Sequence, residues 1–305
     1  MAAIVDSSPA ALQLIGDGQP IRAFSFLDDC IAALRSGELR LDAASVCVPT
    51  SSHFAVASAL LEENVDVLLE KPIAASLSEA AALVDLAGES GRILQVGHLE
   101  RFNPAVLATL PLLNRPMFFE AHRLSVFTPR SLDVDVVLDL MIHDLDIVLS
   151  MARSPIRNVH AVGLPILSQK VDIANVRLEF ESGCVANFTA SRVSTERVRK
   201  LRFFQPRQYI SIDYARKDLL VIDVAAGASA SSPAQLPAGL AFHKPPVVDG
   251  EPLRLEIEAF LESVRTRAIP RVSAEDGRAA LAAALEIQKA MSDHARRAGL
   301  DQFHL

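Results

Sequence analysis

Cysteine is scarce in this 305-residue chain, and the three present, Cys30, Cys47 and Cys184, stand far apart with no CxxC pair. That scatter excludes a disulfide framework and a structural zinc site, and it reads as reduced thiols in a cytosol. No apolar run approaches the ~18–20 residues needed to cross a bilayer, so no membrane partner is expected. The opening Met1-Ala2-Ala3-Ile4-Val5-Asp6 reaches an acid at once and has no basic segment before an apolar one. It does not read as a signal peptide, and the expected compartment is the cytoplasm. Excess positive charge is also absent: a net charge of −7 repels nucleic acid and anionic membranes alike. There is no internal repeat, and the nearest approach to low complexity, Ala225 to Pro237, reads as an exposed loop. What is present is half hydrophobic and 22% charged, the balance of a globular protein, over a length that suits two domains.

The first third alternates short apolar runs with helical patterns. Ala2 to Val5 is a short strand ending in Asp6, and Ser8-Pro9 starts a helix through Leu12 and Ile15 that Gly16 and Gly18 close. Ser45 to Val48 reads as a buried strand, followed by Pro49-Thr50-Ser51-Ser52 and a helix from His53 to Glu63. Asp66 to Glu70 is a further strand. Ser76 to Ser90 is helical, with Ser76 as N-cap and Glu79 placed for a capping box, and Arg92 to Gly97 is again a strand. Continuously apolar strands separated by helices make a parallel sheet covered on both faces, a doubly wound α/β domain over 1–102.

Beyond residue 102 the rhythm changes. A helix follows Pro104 and another runs from Asp133 to Met151; strands follow at Asn175–Phe180, Val185–Ala190, Leu201–Phe204 and Tyr209–Asp213. Ser182-Gly183 is a hairpin signal, and helices at Leu253–Arg267 and Ala274–Arg297 end the chain. Residues 103–305 are therefore expected to form an α+β domain with a large, mostly antiparallel open sheet.

Three segments carry groups suited to chemistry. Lys71, in Glu70-Lys71-Pro72, stands at the carboxyl end of a strand, where such sheets bind ligands. It suits hydrogen bonds to a nicotinamide ribose and a substrate hydroxyl, or it is an ordinary surface lysine before a turn. In Asp139-Leu140-Met141-Ile142-His143-Asp144-Leu145-Asp146, a helical spacing of i, i+4 and i+7 sets Asp139, His143 and Asp146 on one face. A carboxylate one turn from an imidazole orients it as a general base; the same residues also suit a surface ion pair, and no further ligands suggest a metal. At the domain junction, Gly97-His98-Leu99-Glu100-Arg101-Phe102-Asn103-Pro104 offers His98, Arg101 and Asn103 as substrate contacts, with Arg101 equally suited to a structural link.

Taken in this order, the strand–Glu-Lys-Pro, Gly-His-x-Glu-Arg-Phe-Asn-Pro and Asp-x-x-x-His-Asp-x-Asp segments resemble the Gfo/Idh/MocA oxidoreductases. The resemblance spans essentially the whole chain, from Asp6 to the Glu251–Phe260 segment. It implies a Rossmann-type domain and a substrate domain, NAD as cofactor with NADP less favoured, and Lys71, Asp139 and His143 as the catalytic set. It further implies cofactor contacts from Asp6, Pro49, Thr50, His53, Glu70, Lys71 and Pro72, no metal, and a homodimer or homotetramer built through the second-domain sheet. The 97–104 segment, with Arg199–Gln205 and Tyr209–Tyr214, looks most like the branch that oxidises UDP-N-acetylglucosamine. A polyol such as inositol is the alternative substrate, and a non-catalytic sugar-nucleotide-binding paralogue the alternative class.

Members of the family open with a strand, a Gly-x-Gly-x-x-Gly turn and a helix; no such turn occurs in these 305 residues, and Met1 falls inside the family's second strand. The resemblance therefore implies an incomplete dinucleotide domain whose phosphate-holding unit lies upstream. A start placed too late is the favoured explanation, ahead of a gap filled by rearrangement or a partner, and ahead of a degenerate paralogue. Without that central strand, two strand edges are expected to stand unpaired.

Overall fold

The computed structural model describes residues 1–16, 21–128, 134–225 and 239–300. Gly18, Asp133 and all but the first residue of the loop expected at Ala225 to Pro237 lie outside the described residues. Contacts divide the chain into two compact units, Met1–Gly97 with Ile257–Arg278, and His98–Glu256 with the remainder. A single division at residue 102 thus assigns 257–278 to the second domain, whereas their contacts lie with the first unit.

The first unit runs β1 (Ala3–Val5), α1 (Pro9–Gly16), β2 (Arg22–Phe24), α2 (Leu27–Arg35), β3 (Ala43–Val46), α3 (His53–Glu62), β4 (Asp66–Glu70), α4 (Leu77–Ser90) and β5 (Leu94–Gly97). All strand pairs are parallel, in two ladders, β1-β2 and β3-β4-β5. Among the described residues no ladder joins β1 to β3, and Val5 and Ser45 are exposed. The strand expected at Ser45–Val48 lies two residues earlier. Its register with β4 runs from Ala43 to Val46, and Cys47 is exposed beyond it. β4 is buried from Asp66 to Leu69 and packs against α3, and β5 is buried throughout.

Local signals account for α4. Ser76 Oγ accepts the Glu79 N–H at 3.3 Å, while Glu79 Oε2 accepts from Ala75 N at 3.2 Å, one residue earlier than a standard capping box. Gly91, at φ 61°, ends the helix in the left-handed conformation. The C-terminal part of this unit begins within α7 (Pro252–Thr266) and ends in the first turn of α8 (Ala274–Ala298). It is held in place by Val96 N donating to Val272 O at 3.1 Å and by Arg267, whose guanidinium pairs with the buried Asp66. Gly277 faces β5 so closely that a Cβ there would stand 2.6 Å from Val96 Cγ2.

The second unit contains α5 (Pro104–Thr109), β6 (Phe118–Val126), a π-helical turn at Val137–Met141, α6 (Ile142–Ala152), β7 (Ile156–Leu164), β8 (Ile173–Phe180), β9 (Val185–Ser194), β10 (Val198–Gln205), β11 (Gln208–Asp213), β12 (Asp218–Val224) and β13 (Leu240–His243). The strands form one sheet in the order β13-β12-β11-β10-β6-β9-β8-β7. Every pair is antiparallel except β6 with β9, so the sheet is mixed but mostly antiparallel. Residues alternate: Ala174, Val176, Leu178 and Phe180 of β8 are buried while Asn175 and Arg177 are exposed. The buried face packs with Met141, Leu145, Ala284 and Ile287 into one core around Phe119, Phe188 and Phe203. On the opposite face, Phe118, Phe204, Tyr209, Ile222 and Phe242 line up in register across β6, β10, β11, β12 and β13, and none of them is buried.

No described helix is long and apolar enough to cross a membrane.

Candidate active site

One group of candidate residues lies at the carboxyl ends of the parallel strands. Asp6 directly follows β1; its amide donates to Phe24 O at 3.1 Å and its Oδ1 accepts from Ser8 N at 2.7 Å. Pro49 and Thr50 follow β3 and lead into α3. Glu70 closes β4, its Oε2 accepting the Lys71 N–H at 3.2 Å, and the Lys71–Pro72 peptide is cis. Lys71 is half-buried and Pro72 buried.

His53 is buried, its Nδ1 2.8 Å from Pro72 O and its Nε2 3.0 Å from Val48 O. Either tautomer donates to one of these carbonyls. The ring thereby ties the loop after β3 to the loop after β4, and both its nitrogens face main chain.

Tested against a dinucleotide, the residues present fit both ends of such a cofactor. A carboxylate at Asp6 suits a ribose diol and the Lys71 ammonium suits the second ribose. Gly97 lets the end of β5 lie close against Glu70 at the end of β4: a Cβ there would lie 3.2 Å from Glu70 Cα and 3.4 Å from its carboxylate. For the pyrophosphate, the 305 residues contain no Gly-x-Gly-x-x-Gly cradle.

The other group lies in the second unit. Asp139 sits within the π-helical turn, where the Ile142 N–H bonds Val137 O, and His143 follows on the first turn of α6. The regular helical progression assumed for Asp139, His143 and Asp146 is therefore interrupted, and the acids part company. The side chain of Asp139 is 28% exposed and stands 3.9 Å from Arg192 Nη2. Asp146 is buried, 3.3 Å from Arg101 Nε. His143 is half-buried. π-Helical turns recur at functional sites because they displace one residue from the helix register.

The junction segment is drawn into the same unit. Asn103 is buried and caps α5, its Oδ1 accepting from Ala105 N at 3.1 Å while Nδ2 donates to Glu100 Oε2 and Tyr214 O. His98 is 1% exposed. Of the three residues expected to contact substrate here, Arg101 and Asn103 thus make internal links. Lys71 belongs to the first unit, and Asp139 and His143 to the second.

Two arginines escaped the sequence reading. Arg123, on β6, is 4% exposed; its Nε and Nη2 donate to the two oxygens of Asp144 at 2.7 and 3.0 Å, and Nη1 donates to Glu100 Oε1 at 3.1 Å. Burial works to pull its pKa down, but Asp144 and Glu100 outweigh this and hold it raised. Burial beside Asp144 likewise pushes the Tyr214 phenol up. Arg192, on β9, donates to Val134 O at 2.6 Å and stands 3.9 Å from both Asp139 and Asp172. The sequence did carry a signal for both. On β6 the inward phase is Phe119, Ala121, Arg123, and on β9 it is Ala186, Phe188, Ala190, Arg192.

Among the described residues no group of three or more His, Cys, Asp or Glu side chains is placed to hold a metal ion.

The chain matches two family models: residues 1–98 match the GFO/IDH/MocA oxidoreductase family, NAD-binding Rossmann fold, and residues 114–209 match the GFO/IDH/MocA C-terminal domain. It is 35% identical over 277 residues to UDP-N-acetylglucosamine 3-dehydrogenase of Acidithiobacillus ferrooxidans, covering 90% of this chain and 85% of that protein. It is 28% identical over 169 residues to scyllo-inositol 2-dehydrogenase (NAD(+)) of Bacillus subtilis, about half of each chain. The solved structure of the Acidithiobacillus enzyme superposes with a TM-score of 0.85 at 33% identity, covering 95% of this chain and 89% of that one. An Agrobacterium radiobacter oxidoreductase solved with NAD+, L-tartaric acid and magnesium shares the fold, at a TM-score of 0.80 and 17% identity over 96% of this chain.

Proposed function

The chain belongs to the Gfo/Idh/MocA family of NAD-binding oxidoreductases, and from that premise we propose that it oxidises a secondary hydroxyl of a UDP-amino sugar with NAD. The observation that carries this reading is the match to UDP-N-acetylglucosamine 3-dehydrogenase over 90% of the chain. The ordered residues Lys71, Asp139 and His143 support it.

In this reading His143 removes the hydroxyl proton through a ring nitrogen. Asp139 favours the imidazolium that results, and the Lys71 ammonium donates to the oxygen as it becomes a carbonyl. NAD, when bound, supplies the hydride acceptor. Asp6 would hold the adenosine ribose through its 2′-hydroxyl, and a carboxylate there repels the 2′-phosphate of NADP, which favours NAD. Pro49, Thr50, Glu70 and Pro72 would shape the pocket around the ribose and nicotinamide, with His53 fixing two of those loops.

The same reading includes self-association. The unburied row of Phe118, Phe204, Tyr209, Ile222 and Phe242 is a contiguous apolar strip, a surface that a second copy would cover in a homodimer or homotetramer.

A substrate panel tests the assignment: UDP-N-acetylglucosamine, free N-acetylglucosamine, scyllo-inositol and myo-inositol, each with NAD, followed by NADH absorbance. We expect kcat/KM for the UDP-sugar to exceed that for the free polyols by about 10²-fold or more, since nucleotide binding energy is realised only there. Comparable or greater turnover of an inositol would favour a polyol dehydrogenase, which the Bacillus subtilis match over half the chain also suggests. Saturable UDP-sugar binding without any NADH would favour the non-catalytic class.

A further inference from the structure

We propose that Arg123 is a positioning residue for His143, holding the first turn of α6 against the 98–103 segment. The inference rests on the assignment of His143 as the base. Its basis is geometric.

His143 follows a π-helical turn, so the hydrogen-bond ladder that would continue α6 backwards is offset by one residue just before it. A helix end of this kind is less constrained by its own backbone than a regular one, and side chains must fix its azimuth. Two do so. Asp144, the next residue, is 2% exposed and takes both Nε and Nη2 of Arg123. Asp146, 3% exposed, meets Arg101 at 3.3 Å. The opposite ends of these links lead to one short segment, since Arg123 also binds Glu100 and Arg101 is its neighbour. Asn103 locks that segment in turn, through Glu100 and the Tyr214 carbonyl, and the Arg123 guanidinium lies over the Tyr214 ring at 5.2 Å.

Stability alone does not account for such an arrangement. A buried ion pair roughly breaks even against an apolar replacement of similar shape, and here one cation serves two carboxylates. What a bidentate guanidinium does provide is direction, because its planar fork fixes the carboxylate it grips in both distance and angle. The residue gripped adjoins the base. A turn held this way keeps the imidazole within the narrow range of positions from which proton removal is efficient, and a displacement of about 1 Å costs on the order of 10²-fold in rate.

The test compares Arg123→Met, Arg123→Lys and His143→Ala with the parent, all as the full chain. Folding is checked by thermal unfolding, kcat and KM are measured with UDP-N-acetylglucosamine, and the imidazole carbon resonance of His143 is observed after 13C-histidine labelling. That resonance is identified by its loss in His143→Ala. We expect Arg123→Met to lower kcat by about 10²-fold with KM changed less than about threefold, and to shift the His143 resonance. Arg123→Lys, able to hold one carboxylate but not two, should recover part of kcat and part of the shift. A folded Arg123→Met with parental kcat, or with an unshifted His143 resonance, would overturn the proposal. If Arg123→Met does not fold, Arg123→Lys decides: an unshifted resonance at parental kcat overturns it, and a shifted one at lowered kcat supports it. Parental turnover in His143→Ala would sink the assignment of the base, and the resonance comparison would still decide whether Arg123 positions that side chain.

Discussion

Replacing His143 by Ala, or Lys71 by Ala, is expected to lower kcat for the sugar nucleotide by about 10²–10⁴-fold, the range that a positioned acid–base group supplies. The two losses should differ in kind. In the proposed function His143 acts on the hydroxyl proton in the transition state, so its removal is expected to lower kcat and kcat/KM together. In the same proposal Lys71 serves the cofactor ribose as well as the reacting oxygen, so its removal should also weaken NADH binding. The double variant should fall little below the worse single one, because groups that act as a unit do not add. Near-parental kcat in either single variant, with folding intact, would remove that residue from the catalytic set.

The second large effect concerns stability and its dependence on pH. Asp172 is fully buried, and its carboxylate accepts from Ile166 N, Leu167 N and Ser168 N at 2.6–2.8 Å and from the Ser168 hydroxyl at 2.7 Å. Arg192 lies 3.9 Å away and continues to Asp139. Burial works to raise the Asp172 pKa, but the Ser168 hydroxyl and the three backbone N–H donors outweigh it, and the group is held below its ordinary 3.8. A carboxylate whose folded pKa is depressed makes the unfolded chain the stronger proton binder as acid is added. Its contribution is therefore present in full above the ordinary value and disappears as pH falls through the lower folded value. Asp172→Ala strands three amide donors, and about 3–5 kcal/mol of stability should be lost near neutral pH. Urea titrations at neutral pH and at several pH values below 4 check both parts. The parent should lose stability steeply in the acid range, and Asp172→Asn should lose less of it there. Equal acid sensitivity in parent and Asn variant would mean that Asp172 is not the group responsible.

Much of the first unit is legible in the sequence because its signals are local. Asp66–Glu70 has the bounds the apolar run suggests, and Ser76 caps α4 through Glu79 as its spacing requires. β2 escaped notice because Arg22–Phe24 is short, with two exposed residues of three, and shows no period. In β6 and β7 an inward residue is polar or lacks a side chain, Arg123 in one and Gly163 in the other, so the apolar pattern is weak although the inward phase of β6 is unbroken. The return of 257–278 to the first unit depends on Arg267 meeting Asp66, 201 positions apart, and no local pattern records such a pairing. In the candidate site the residue types were readable but their partners were not. Regular helical spacing groups Asp139 with Asp146, yet the π-helical turn sends one to Arg192 and the other to Arg101. Asn103 is a polar residue just beyond a strand end, which suits a substrate contact, and the family resemblance implies a cofactor contact for His53. Here Asn103 caps a helix and His53 bridges two loops. A buried arginine on a strand reads like a surface one unless the apolar phase of that strand is followed through it, as Phe119-x-Ala121-x-Arg123 allows.

Hydride transfer from a sugar nucleotide to NAD can be followed atom by atom: the chain is incubated with NAD and UDP-N-acetylglucosamine carrying deuterium at sugar carbon 3, and the reduced cofactor is isolated for mass spectrometry. Deuterium at the nicotinamide ring of the NADH formed is the predicted result; absence of labelled NADH, with intact substrate recovered, would contradict it.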